Sequence, residues 1–408
     1  MNETHGTLRE NLRALPRGAW ILFFGSFLNK FGTFVLPFLA IYMQRLGYSV
    51  PEAGLAVAAF GLGHLVAAAL GGVLADRLGR RETIVLSMVS VAGTMLCLSQ
   101  ARQLASILTW SALAGLTGEL YRPAAGALLA DLVPAGQRVT AFAAYRMAFN
   151  AGWMFGPATA GFLAKHSFTW LFIGDAFTSL LFGLVAWLAL PAGARGGPAR
   201  TTLGQSLRVL AQDRRLRQVL LAWLPVGMVF MQVCSTMSLE VTRHGFAPAI
   251  YGLLISINGA MVVLCELPLT TLTRRFPPRR VIAVGYVLIG AGFASNVCTR
   301  TLPLLALSMA VLTLGEMISM PVAAAYVADL APAHQRGLYM GTFGLAGALT
   351  LVCGPSLGMM LFAVSPAALW SLCGVLGLVG AGMMLPDVLA PPLDRRGELP
   401  LVTGADAP

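Results

Sequence analysis

Seven charged side chains stand inside long apolar stretches of this 408-residue chain: Lys30, Glu119, Arg122, Arg146, Asp175, Glu266 and Glu316. Inside a bilayer each such charge costs about 2.5–3.5 kcal/mol on insertion scales, so each needs a partner or a task. Glu119 and Arg122 are three positions apart and share one helix face. Glu119 lies eight residues and Arg146 seven residues from the same-side ends of their apolar runs. At about 1.5 Å per residue both are then roughly 10–12 Å deep, close enough to meet. A carboxylate placed there can exchange a proton, its proton affinity falling whenever Arg122 or Arg146 draws near. The same residues also suit a static ion pair that fixes helix packing.

The remaining polar positions are weaker. Lys30, beside Asn29, is either a contact for an anionic solute or a counter-ion for a carboxylate. Asn150 follows Arg146 by four and can orient it or bind solute. His64 titrates near physiological pH, although a lone histidine among glycine and alanine is more often a packing residue. Glu266, near Pro268, reads as a gating or packing charge, and Asp175 as a residue facing an external vestibule.

The elements that must position these groups follow from composition. Hydrophobic residues make up 57% of the chain, charged ones only 11%, and mean hydropathy is +0.75, values that describe a polytopic membrane protein. Twelve apolar runs of spanning length are expected, approximately 18–44, 52–75, 82–100, 104–127, 139–164, 168–190, 218–241, 248–272, 281–299, 302–327, 338–362 and 366–386. The run after Arg17 is too long for a signal peptide and is expected to stay as the first span. Residues 191–217 form a Gly- and Pro-containing linker in which Thr201 or Thr202 can cap a short surface helix through Leu203, Leu207 and Leu210. The tail from 387 to 408 is polar and expected to be disordered.

A formal charge of +11 suggests nucleic acid only until the basic residues are placed. Twenty arginines fall in segments on one side of the twelve-span topology and five basic residues on the other. Basic residues in short loops stay cytoplasmic, so both termini are assigned to the cytoplasm and no nucleic-acid partner is implied. The six cysteines have no metal-ligand spacing and read as small apolar fillers. With five scattered histidines, no HExxH and no Walker motif, neither an enzyme nor an ATP-driven pump is expected, and no cofactor or metal is called for.

The two halves repeat one another at an offset of 197 to 198 residues. Gly118-Glu119 returns as Gly315-Glu316, Pro123 as Pro321, Ala130-Asp131-Leu132 as Ala328-Asp329-Leu330, and Gly156-Pro157 as Gly354-Pro355. Polar and Gly/Pro punctuation in phase indicates a duplicated six-helix unit. Met320 and Gly344 stand near the places where Arg122 and Arg146 would repeat, so the basic partners belong to the first half. Glu316 is left as a second proton site, a contact for a substrate cation or a structural hydrogen-bonding group.

The loop Gly72-x3-Asp76-Arg77-x-Gly79-Arg80-Arg81 resembles the signature between the second and third spans of the major facilitator superfamily. Gly152-x3-Gly156-Pro157-x3-Gly161 is similar to the fifth-span signature of its proton-coupled drug antiporters, though a Gly-Pro in the eleventh span also fits a general hinge. The resemblance implies an all-α integral membrane fold of two pseudo-symmetric six-helix bundles, 1–190 and 218–386, that rock about a central cavity. It further implies an inner gate in which Asp76 pairs with an arginine and a helix end of the other half, with Asp131 and Arg138 as a companion site. The corresponding loop of the second half, Arg274 to Arg280, lacks the aspartate.

The expected function is therefore secondary active transport in the bacterial cytoplasmic (inner) membrane by a monomer, energised by a proton gradient. Antiport of a small, partly apolar compound or drug leads. Phe23, Phe27, Phe31, Phe34, Tyr121, Met228, Met231 and Met317 are the expected soft cavity surface. The alternative is a proton symporter importing a small polar or anionic metabolite.

Overall fold

A computed structural model describes residues 15–134, 137–192, 204, 208, 212–273, 275–331 and 336–385. The expected linker helix and polar tail lie outside the described residues, apart from isolated positions. All the regular structure described is helical. In the first half the helices are α1 (Arg17–Phe31), α2 (Val35–Arg45), α3 (Val50–Leu78), α4 (Arg80–Gln100), α5 (Leu104–Glu119), α6 (Tyr121–Leu132), α7 (Arg138–His166) and α8 (Thr169–Ala189). In the second they are α9 (Arg214–Phe230), α10 (Thr236–Arg243), α11 (Pro248–Thr273), α12 (Pro278–Ala294), α13 (Leu302–Leu330), α14 (Arg336–Val364) and α15 (Pro366–Met384).

Ten helical segments among the described residues are long and apolar enough to cross a membrane. The fourth and fifth expected runs are helical too, as α5–α6 and as α7, but they carry Glu119, Arg122 and Arg146 and are not among the ten. Three spans are divided rather than continuous. The first bends at Gly32–Phe34 between α1 and α2, the fourth is interrupted at Leu120 between α5 and α6, and the seventh passes through a 3-10 turn, Met231–Cys234, before α10. Local chemistry sets several starts. Ser49 and Glu52 form a reciprocal capping box on α3, Asp213 accepts from the N–H groups of Arg215 and Leu216 on α9, and Ser365 caps α15.

The helices form two bundles that meet along three seams, α3 with α14, α7 with α11, and α2 with α10. Glycine allows the backbones to touch there. A Cβ added to Gly252 would stand 2.1 Å from the Pro157 carbonyl oxygen, and one on Gly161 2.7 Å from Ala249 Cα. Gly54 and Gly61 press in the same way on Ser356 and Leu351. These contacts lie toward the face opposite the arginine-rich loop. On the loop side, a Cβ added to Gly72 would meet nothing within 4 Å, and the contacts of Arg80 among the described residues stay within its own bundle. Among the described residues the close glycine contacts between the bundles thus gather toward the face opposite the basic loop.

Candidate functional site

Close packing of α7 on α1 and of α3 on α5 places the interior charges. Gly152 and Gly156 of α7 sit directly on α1: a Cβ on Gly152 would lie 2.7 Å from Lys30 Cβ, Phe27 O and Phe31 N. Gly63 of α3 and Gly115 of α5 make an equally close pair, with an added Cβ 1.8 Å from Ala112 O and 2.0 Å from Phe60 O. His64 follows the first of these glycines, and Glu119 stands one turn beyond the second. Backbone approach therefore joins the fifth span to the first beside Lys30, and the second span to the fourth beside His64 and Glu119.

The Lys30 ammonium donates to Glu119 Oε1 at 2.8 Å, and their side chains are only 6% and 12% exposed. His64 Nδ1 and Arg122 Nη1 each lie 4.0 Å from the other oxygen, Oε2. Phe149 of α7 offers its ring face to both cations, 5.0 Å from Lys30 Nζ and 5.4 Å from the Arg122 guanidinium carbon. The Arg122 side chain is 55% exposed and faces away from the packed interior. Beside the pair is a cavity of about 30 Å³, space for one water, lined by Asn29, Lys30, Thr33, Glu119, Asp175 and Ser179.

In the second half, Asn258 of α11 donates Nδ2–H to Glu316 Oε2 at 2.6 Å and to Thr313 Oγ1 at 3.0 Å. Among the described residues no lysine, arginine or histidine pairs with Glu316. The register that carries Glu119 onto Glu316 carries Lys30 onto Gly227 or Met228, which explains the difference. Glu266 of α11 forms an ion pair with Arg146 of α7, a bridge between the bundles.

Several expectations change. Arg146 does not meet Glu119. It stands six positions before Gly152, about 240° around the helix from the face that touches α1, and so points at α11. The partner of Glu119 is Lys30, one of the two roles open to that lysine, and His64 joins the cluster instead of merely packing. Asp175 does not face an external vestibule but is buried on α8 against the break in the first span. Asn150 is half-buried and has no hydrogen-bond partner among the described residues. The stretch Gly152–Gly156–Pro157 lies within one helix assignment, α7, and is a contact seam shared by α1 and α11. Phe23, Phe34, Tyr121 and Met317 are buried in packing, leaving Phe27, Phe31, Met228 and Met231 partly exposed.

The basic loop is also rearranged. Asp131 pairs with Arg80 rather than with Arg138, whose Nε donates to the Val133 carbonyl at 3.4 Å. Arg80 additionally donates to the Ala127 carbonyl at 2.7 Å, and Arg81 bonds Glu82 and lies over the Trp187 ring. Gly79 has φ +113°, a conformation that a side chain resists, and a Cβ there would strike Glu82 Oε2. Asp76 is half-buried and makes no ion pair among the described residues, and Arg77 is exposed. Among the described residues none of these groups makes a latch across the bundles. Among the described residues no cluster of His, Cys, Asp and Glu could hold a metal.

Phe149 and Asn258 were not anticipated. A phenylalanine in an apolar run carries no signal of a cation above its ring. Asn258 could have been singled out as the polar residue within its span.

The Major Facilitator Superfamily model matches residues 22–247 and 233–402. The chain belongs to that superfamily and is a multi-pass membrane transporter. Its relatives include MdtH, a multidrug resistance protein of Yersinia pestis (strain Pestoides F), 27% identical over 90% of this chain and 93% of that one. The MFS-type transporter YqjV of Bacillus subtilis (strain 168) is 26% identical over 83% of this chain and 85% of its own length. In fold the chain is similar to the nucleoside transporter NupG, with TM-score 0.79 and 17% identity over 90% of this chain and 98% of that one. It is also similar to a POT family transporter in complex with 5-aminolevulinic acid, with TM-score 0.75 and 17% identity over 91% and 96%.

Proposed function

We propose that the protein is a proton-coupled antiporter that exports a small, partly apolar compound, with Glu119 as the proton-exchanging group. One observation carries this reading: a carboxylate in the middle of the fourth span is held by Lys30 of the first span at 2.8 Å, beside His64 and Arg122. When Glu119 is ionised, Lys30 ties the two spans together. A proton on Glu119 releases Lys30, so the protonation state selects between packings of the bundle. The similarity to MdtH supports export of a drug-like compound. Glu316, which has no basic partner among the described residues, suits a substrate that carries positive charge.

The proton gradient is the energy source and no cofactor is required. The arginine-rich face lies in the cytoplasm of a bacterial inner membrane, both termini are cytoplasmic, and one chain is sufficient.

A second reading, import of an anionic metabolite with protons, is favoured by Arg122 and Arg146, whose side chains are 55% and 53% exposed. Proteoliposomes with an interior pH probe separate the two. Proton movement opposite to an added cationic compound, lost in Glu119→Gln, supports antiport. Movement in the same direction as an anionic compound supports symport, and undiminished coupling in Glu119→Gln removes Glu119 from its role.

A further inference from the structure

Asp175 is a buried carboxylate in the sixth span, and neither the ion pairs nor the contact between bundles uses it. It lies on α8 where that helix packs against the broken first span. Gly32 and Gly174 permit the contact: a Cβ on Gly32 would meet Thr178 Oγ1, and one on Gly174 would stand 2.8 Å from the Phe34 ring. The Asp175 carboxylate lies near the backbone N–H groups of Phe34 and Val35, the first amides of the half-helix α2; the Phe34 N–H donates to the Gly32 carbonyl at 2.7 Å. The positive end of a helix start buried in a membrane is favoured by a negative charge beside it, because no water reaches its free N–H groups there. Asp175 supplies that charge to α2, and α2 belongs to the seam that closes the face opposite the basic loop.

Asp175 also shares the small cavity with Lys30 and Glu119. Asn29, on the same wall, has its Oδ1 buried without a hydrogen-bond partner, and Glu119 Oε2 likewise accepts no hydrogen bond. The cavity thus has polar groups aimed into it and room for a lysine end-group or one water to change place. The charged residues on its walls are Lys30 from α1, Glu119 from α5 and Asp175 from α8. The other walls contribute Asn29, Thr33 and Leu36 from the first span, Phe60 from α3, Val91 and Met95 from α4, Ala114 and Gly118 from α5, and Ser179 from α8.

We propose that Lys30 is a two-position switch, bonded to Glu119 when that group is ionised and to Asp175 when Glu119 is protonated or occupied by substrate. A lysine losing its counter-ion in this interior would be left as an unpaired buried charge, and Asp175 is the other carboxylate on the same cavity. In turning to Lys30, Asp175 draws away from the first amides of α2. The start of α2 loosens, and with it the seam at the closed face. Asp175 is a positioning residue that carries the state of Glu119 to the far side of the membrane. The inference names a further part of the proposed coupling site, and its central test does not depend on the direction of transport.

That test is amide hydrogen exchange of residues 32–36, followed by mass spectrometry of purified protein in detergent. Glu119→Gln places Lys30 permanently in its second position, so exchange at Phe34 and Val35 is expected to rise about tenfold over the native chain. Asp175→Ala removes the carboxylate altogether and raises exchange by itself, and adding Glu119→Gln to it brings no further rise. Asp175→Glu is expected to return exchange to the native level in an otherwise native chain. Unchanged exchange in Glu119→Gln, or an undiminished further rise in the double variant, overturns the switch.

In proteoliposomes, Asp175→Asn is expected to lose the acceleration of substrate movement by a proton gradient. Full acceleration in Asp175→Asn also overturns the switch but leaves Glu119 in its role. If the native chain moves no protons, the transport reading fails, and the exchange measurement alone decides whether Lys30 changes partner.

Discussion

Replacing Gly252 with alanine tests whether the bundles rock about the seam between α7 and α11. The added Cβ would stand 2.1 Å from Pro157 O, 2.9 Å from its carbonyl carbon and 3.2 Å from Ala158 Cα, all backbone atoms that cannot turn aside. Ordinary contact begins at 3.4 Å, so the bundles must separate by about 1.3 Å at this point. Overpacking of this kind costs about 1–3 kcal/mol in the arrangement described. It costs nothing in an arrangement where the seam is open, so the open population should grow about 5- to 150-fold. Spin labels at His166 and Ala247, both exposed beside the seam, report the distance directly. The native chain should give a short distance and Gly252→Ala an added longer one. Gly93→Ala, with nothing within 4 Å, is the control and should leave the distribution alone. An unchanged distance distribution in folded Gly252→Ala would refute a rocking motion at this seam.

Three further outcomes follow from the same contacts. Lys30→Met leaves Glu119 without its main partner and should destabilise the protein by about 3–5 kcal/mol, while Lys30→Met with Glu119→Met should recover much of that loss, read as thermal unfolding in detergent. Gly79→Ala forces a side chain into φ +113° and onto Glu82, so a loss of about 1–3 kcal/mol is expected in the same assay. Single and double alanine variants of Arg146 and Glu266 should reveal a coupling energy of about 1 kcal/mol or less, because Arg146 is half exposed, and should lengthen the distance between α7 and α11 at that depth.

Much of the fold could be read from the sequence because apolar length, arginine bias and the 197–198 repeat are properties of whole segments. The depth of Glu119 followed from counting residues, but its partner did not. Lys30 is 89 positions away, and only the glycine contacts at Gly152 and Gly115 determine which helix faces meet. Arg146 was misplaced for a related reason: depth is one coordinate and rotation about the axis is another, and charges report the first alone. The break at Gly32–Phe34 left little trace, since Gly-Thr-Phe is an ordinary sequence within an apolar run. Asp175 followed from neither pattern, because its environment is a helix start that exists only once that break has formed.

The pairing of Lys30 with Glu119 also bears on how the chain is made. The first span emerges with a lysine near its middle, and the fourth and fifth spans, which carry Glu119, Arg122 and Arg146, are not among the segments apolar enough to cross on length and composition. A ribosome supplies Lys30 before Glu119, so the first span, long and apolar enough to cross by itself, precedes the counter-charge that its lysine meets in the finished bundle. Glycine faces at positions 63 and 115 then let the late segment lodge against the earlier one. Assembly of the first bundle is in this sense a cooperative insertion, in which polar segments enter the lipid as partners.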